Sequence, residues 1–132
     1  MPYARITLHK GKSESYLRAL ADGLFQAMHE SFETPATDRF QVIHQVEPGE
    51  LIYDRDYLGG PRSQDFVHIA ITVGRPRDAQ TKQRFYQHAV TLLAQNTGID
   101  PEDVMIVVHT TASEDWSFGG GRQGITAAQV LS

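Results

Sequence analysis

The sequence predicts an α+β fold of two layers, in which two tandem β-α-β units form one four-stranded sheet with both helices on one face. Three observations carry that expectation. Short stretches of period-two alternation flank two long stretches whose apolar residues recur at helical spacing. Strand, helix and strand follow in that order, twice. Shifting the first half by about 64 positions lays Pro2–Leu8 on Phe66–Thr72, and Phe40-Gln41-Val42-Ile43 on Val104-Met105-Ile106-Val107. Parallel strands joined by a helix cross over right-handedly, so two such units can share a sheet and place both helices on the same side. The other face, rich in β-branched residues, then needs a cover, which oligomerisation would provide.

Each element has its own signal. Pro2–Leu8 alternates Tyr3 and Arg5 against Ala4 and Ile6 up to the break at Gly11, which predicts a strand. From about Ser13 to Phe32, Leu17, Leu20, Ala21, Leu24, Phe25, Met28 and Phe32 form one apolar stripe, and Thr34-Pro35 ends the helix. Phe40–Val46 alternates again, entered from Asp38-Arg39 and stopped by Pro48-Gly49. Leu51–Ser63, with Gly59-Gly60-Pro61, predicts a short strand or turn followed by a loop. Phe66–Val73 is an apolar strand. Asp78 is a plausible N-cap for a helix running to about Asn96, with Phe85, Ala89, Leu92 and Leu93 inward and Gly98 past its end. Val104–His109 is the closing strand.

The chain of 132 residues reads as one domain, with units at about 2–46 and 66–109 and a C-terminal tail. A composition 40% hydrophobic and 21% charged is that of a packed soluble protein. A net charge of -4 offers no field to attract a polyanion, which argues against nucleic acid and anionic membrane as partners. The absence of cysteine excludes disulfides, thiolate zinc sites and a cysteine nucleophile. No apolar run approaches the ~20 residues that span a bilayer, and the N-terminus lacks a signal-peptide core. A cytoplasmic location is the simplest expectation.

Removal of Met1 would expose the secondary amine of Pro2, an acid or base whose pKa starts near ~7.7–8.0 and moves with its surroundings. With Met1 retained, the same nitrogen is a non-basic amide. Gly74-Arg75-Pro76-Arg77 lies between a strand and a helix N-terminus, and Pro76 biases Arg75 toward an extended conformation, so the side chains of Arg75 and Arg77 can converge. Two guanidinium forks there suit a carboxylate; the alternative is solvated arginines paired with Asp78 or Asp103. Asp38 is either a carboxylate at the same sheet end or a turn residue. In Asp115-Trp116-Ser117-Phe118-Gly119-Gly120-Gly121, the two aromatics either wall off a small site or dock the tail on a neighbouring subunit. The six histidines show no HExxH or other close ligand spacing, so no metal is expected, and His29 and His44 read as packed or surface residues. Ser63, Ser113 and Ser117 lack a nucleophile-elbow context.

Taken in order, Pro2, Pro35-Ala36-Thr37-Asp38-Arg39-Phe40-Gln41, Leu58-Gly59, Arg62-Ser63, Arg75-Pro76-Arg77 and Asp115-Trp116-Ser117-Phe118-Gly119 resemble the malonate semialdehyde decarboxylase family. That family is a branch of the tautomerase superfamily, which also includes 4-oxalocrotonate tautomerase. The match covers nearly the whole chain. It departs after Phe118, where Gly119–Gly124 offers few bulky groups before Ile125.

The resemblance implies the tautomerase fold, a homotrimer, no cofactor and a small oxo-acid substrate. By position it implies Pro2 as catalytic amine, Asp38 as the carboxylate that orients or activates water, and Arg75 and Arg77 as carboxylate binders. Trp116 and Phe118 would form a hydrophobic wall. The expected reaction is decarboxylation of a short 3-oxo acid such as malonate semialdehyde. The alternatives are keto-enol tautomerisation of a 2-oxo acid of phenylpyruvate or oxalocrotonate type, and hydrolytic 3-haloacrylate dehalogenation with Glu114 or Asp38 activating water. Outside enzymes, an oligomeric binding or scaffold protein is the remaining reading.

Overall fold

A computed structural model describes residues 2–124; Met1 and the end of the tail from Ile125, the first bulky group after Phe118, lie outside the described residues. The strands are β1 (Pro2–His9), β2 (Phe40–Val46), β3 (Val67–Val73) and β4 (Val104–Thr110), and the helices are α1 (Glu14–Phe32) and α2 (Ala79–Thr97). The sheet order is β2-β1-β3-β4. β1 runs parallel to β2 and β3 parallel to β4, so each half is a β-α-β unit. The two units meet through β1 and β3, which are antiparallel, with Pro2 opposite Val73. The segment 47–66 forms turns and loop without the short strand allowed for it.

Capping sets the helix bounds. Ser13 accepts the Tyr16 N–H at 3.1 Å to start α1, and Asp78 accepts the Thr81 N–H at 2.8 Å to start α2. Gly98 ends α2 in the left-handed region at φ 76°, its N–H bonded to the Ala94 carbonyl at 2.9 Å. The α1 stripe buries Leu20, Ala21, Leu24, Ala27, Met28 and Phe32, while α2 buries Phe85, Ala89 and Leu93. A Cβ at Gly23 would lie 2.9 Å from Asn96 Nδ2 and 3.3 Å from Leu93 Cδ2, so a glycine there lets the helices approach.

Period two divides the sheet cleanly. Ala4, Ile6 and Leu8 of β1 and Val67, Ile69, Ile71 and Val73 of β3 face the helices and are almost wholly buried. The open face carries β-branched Thr7, Val42, Thr72 and Val107, and with them His9, His44, His68 and His109. Arg5 Nε donates to His44 Nε2 there at 3.3 Å. Phe40 and Met105 remain 49% and 46% exposed on this face, which leaves apolar surface open to solvent.

The long loop between the units is held by a buried carboxylate. Asp103 is 2% exposed and accepts the Ser63 N–H at 2.6 Å and the Ser63 hydroxyl at 2.7 Å. Tyr53 stacks on Phe66 with centroids 4.2 Å apart and donates its hydroxyl to the Ser63 carbonyl at 2.7 Å. Asp103→Ala removes both charge-assisted bonds and is expected to destabilise the fold by about 3 kcal/mol, measured as a lowered urea midpoint. Asp103→Asn keeps an acceptor and is expected to recover about half of that loss. Equal midpoints for Asp103→Ala and the parent chain would remove this clamp from the account of stability.

Candidate active site at the Pro2 end of the sheet

The antiparallel contact between the units positions the site. It places the first residue of β1 beside the last of β3, so buried Pro2 lies across from Val73, two residues before Arg75. β2 also starts at this end, and β4 finishes here. Pro2, the turn before β2, the turn after β3 and the segment after β4 therefore share one rim.

Arg75 and Arg77 converge. Arg75 Nη2 donates to the Phe32 carbonyl at 3.1 Å, and Arg77 Nη2 donates to the same oxygen at 3.4 Å. Phe32 is the last residue of α1, so this oxygen is one of the carbonyls a helix C-terminus leaves unpaired, at the negative end of the dipole. Arg77 Nη1 donates to the Arg75 carbonyl at 2.8 Å, and its guanidinium lies 4.9 Å over the Phe32 ring. The Arg77 Nε is buried without a hydrogen-bond partner among the described residues. A buried cationic N–H lacking an acceptor favours an anion.

The convergence expected from Pro76 is present, but the helix end differs. The N-terminus of α2 is already capped by Asp78, and that bond holds the Asp78 carboxyl below its usual pKa. Asp103 is committed to Ser63. The guanidiniums turn instead toward the C-terminus of α1, because an orphan carbonyl and an aromatic ring lie there.

Burial and the neighbouring Arg75 cation bring the Arg77 pKa down to about 10, against the attraction of Asp38. Its charged form is thus less favourable in the fold than in the unfolded chain. That penalty is present below pH 10 and is relieved as pH rises from there toward the ordinary guanidinium range. Through the neutral range Arg77 is a fixed cation.

Asp38 sits in a turn, its N–H bonded to the Pro35 carbonyl at 3.0 Å. Arg39 ties the entry to β2 onto α1 by donating to Asp22 at 2.6 Å and to Gln41 Oε1 at 2.9 Å, and Gln41 Nε2 donates to the Ala21 carbonyl at 2.8 Å. His29 Nδ1 bonds the Thr34 carbonyl at the other side of the turn. The Asp38 carboxylate favours the charged form of Arg77, in opposition to burial and Arg75.

Three aromatic rings pack together at this rim. Trp116 stacks on Phe118 with centroids 5.3 Å apart and planes 5° from parallel, and Phe118 lies 5.8 Å from Phe40. Trp116 Nε1 donates to Thr111 Oγ1 at 2.6 Å, and Thr111 in turn donates to the Val73 carbonyl at 2.7 Å. Sequence reasoning gave Phe40 no role beyond its strand and its place in the Pro35–Gln41 segment, and it missed the Phe32 carbonyl and Thr111; a Thr-Thr pair after a strand carries no recognisable signal. Glu114 is exposed on the short turn Ser113–Asp115. Among the described residues, no cluster of three or more His, Cys, Asp or Glu side chains could hold a metal, and no helix is long and apolar enough to cross a membrane.

Residues 38–119 match the family profile Tautomerase_2 and residues 2–59 the profile Tautomerase, both described as "Tautomerase enzyme". The chain is 36% identical over 122 residues to the probable tautomerase YusQ of Bacillus subtilis (strain 168), covering 92% of this chain and 96% of that one. A second protein of that organism, the probable tautomerase YrdN, is 31% identical, covering 92% and 93%. Among solved structures, a malonate semialdehyde decarboxylase described with decarboxylase and hydratase activities superposes with TM-score 0.86 at 33% identity, covering 91% of this chain and 92% of that one. The FG41 malonate semialdehyde decarboxylase inhibited by 3-bromopropiolate gives 0.85 at 35% identity, covering 91% of each chain.

Proposed function

The chain belongs to the tautomerase superfamily, and from that premise we propose that it is a cofactor-independent decarboxylase of a short 3-oxo acid, with malonate semialdehyde as the preferred candidate. The observation that carries this reading is the pair of guanidiniums converging on the Phe32 carbonyl, with a buried and unpartnered Arg77 Nε, beside the strand end that faces Pro2. Likeness to two malonate semialdehyde decarboxylases supports the substrate class.

In this reading the arginines hold the carboxylate so that its bond to the methylene carbon stands out of the carbonyl plane. Pro2, freed of Met1 and protonated, donates to the aldehyde oxygen. The carbon–carbon bond breaks, its electron pair passes into the enol, and carbon dioxide leaves. Protonation of the enol at carbon, with its hydroxyl proton returned to Pro2, gives acetaldehyde. Asp38 orients or activates water, and Trp116 and Phe118 keep bulk solvent away, which strengthens each charge inside. The amine and guanidiniums supply the acid and the fixed charge, so the scheme asks for no cofactor. A homotrimer would cover the open sheet face; light scattering is expected to give three times the 14.7 kDa chain mass.

The probable tautomerase relatives favour a second reading, in which neutral Pro2 removes a proton beside a carbonyl and returns it elsewhere. The pH dependence separates the two, because Arg77 stays charged across the neutral range and leaves Pro2 to set the limb. Decarboxylation by a protonated amine is expected to slow as pH rises through the amine pKa, whereas proton abstraction by the neutral amine is expected to accelerate. The direct test offers Met1-free protein malonate semialdehyde, phenylpyruvate enol and 3-chloroacrylate under the same conditions. Carbon dioxide release from the first is the expected result. Turnover of phenylpyruvate alone would move the assignment to tautomerase, and turnover of the haloacrylate alone to dehalogenase.

A further inference from the structure

We propose that Thr111 is a positioning residue, whose hydroxyl fixes the indole of Trp116 and with it the aromatic wall against the end of β3. Its consequence for turnover rests on the functional reading above; its effect on the indole does not. The bond directions are unambiguous. An indole N–H can only donate and a carbonyl can only accept. The Thr111 hydroxyl therefore accepts from Trp116 Nε1 at 2.6 Å and spends its single proton on the Val73 carbonyl at 2.7 Å. That carbonyl also accepts the Thr111 N–H at 2.8 Å. Val73 is the residue opposite Pro2 and the last before the Gly74-Arg75-Pro76-Arg77 turn. One hydroxyl thus joins the wall to the strand end shared by the amine and the arginine turn.

The remaining polar contacts of Trp116 hold its backbone: its N–H bonds the Ser113 carbonyl at 3.3 Å, and its carbonyl accepts the Gly124 N–H at 2.8 Å. They leave the ring torsion free. Without the Thr111 hydroxyl, a half-buried indole N–H has no acceptor, and the favourable response is rotation toward water. Phe118 is stacked on that ring and in turn approaches Phe40, so one rotation loosens all three. Water then reaches the rim, and the fixed charges around the substrate act through a higher dielectric.

Trp116 is the sole tryptophan, so its emission reports this ring alone. Thr111→Val removes the hydroxyl at nearly constant shape, and Thr111→Ser retains it. In Thr111→Val, emission is expected to shift to longer wavelength with stronger acrylamide quenching. On malonate semialdehyde, kcat is expected to fall about tenfold, the weight of one hydrogen bond, with KM held within about twofold. Thr111→Ser is expected to restore both signals. Trp116→Phe keeps a ring that cannot donate; its loss of kcat should match that of Thr111→Val, and the double variant should lose no more than either.

Unshifted emission in Thr111→Val overturns the proposal, as does a Thr111→Ser variant as impaired as the valine one. A shifted indole with unchanged kcat also overturns it, because the position of the ring would then not matter. If the parent protein turns over no oxo acid, the functional reading fails by itself. The emission comparison needs no substrate, so in that case it still tests whether Thr111 holds the indole.

Discussion

Pro2→Ala is expected to lower kcat/KM by about 10²- to 10⁴-fold, the usual weight of a positioned acid–base group, while leaving the assembly unchanged. Alanine keeps a primary amine after Met1 removal but loses the ring geometry and secondary-amine basicity that the proposed mechanism uses. The fold should tolerate the change. Pro2 stands at the first position of β1, where alanine adopts the same extended backbone. Steady-state rates with matched light scattering make the comparison, and equal rates for the two proteins would remove Pro2 from the mechanism. A chain that keeps Met1 offers a second control with the ring intact. Its Pro2 nitrogen is an amide, so it should show a loss at least as large as the alanine variant.

The parts of this molecule written in local sequence are the ones periodicity and capping control. Asp78 marks a helix start because its side chain satisfies the backbone N–H three residues on, a relation visible in the sequence itself; Ser13 caps α1 in the same way, although the apolar stripe is what signals that helix. The alternation in Phe40–Val46 likewise predicts the strand found at those residues. Relative direction is different. Nothing local says that β1 and β3 run antiparallel, yet that pairing puts Pro2 beside Val73 and hence near the arginine turn. The convergence of Arg75 and Arg77 was legible from Pro76 and the period of an extended chain. Their acceptor was not, because the Phe32 carbonyl is 43 residues from Arg75 and is exposed to it only by helix–sheet packing. Thr111 was silent for the same reason: its partner Val73 is 38 residues away.

Arg75→Ala is expected to lower kcat/KM by about 100-fold, roughly 2.7 kcal/mol of transition-state stabilisation, through loss of a charge-assisted contact to the substrate carboxylate. Folding should survive, because Arg75 is exposed and its side-chain bond to the Phe32 carbonyl can be replaced by water. Arg75 helps to depress the Arg77 pKa, and with Arg75 gone Arg77 moves back up from about 10; since Arg77 is already a fixed cation through the neutral range, this returns no charge there. The site then keeps one cation and one fork, which makes lysine at position 75 the informative replacement. A lysine restores attraction for a carboxylate, so KM should return near the parent value. It cannot grip both oxygens in a plane, and if fixing the carboxylate's rotation is what breaks the carbon–carbon bond, kcat should stay low. Simple charge attraction requires the opposite, recovery of both constants in Arg75→Lys. Near-native kcat in the lysine variant would therefore reject the orienting role, and near-native kcat/KM in the alanine variant would remove Arg75 from the site.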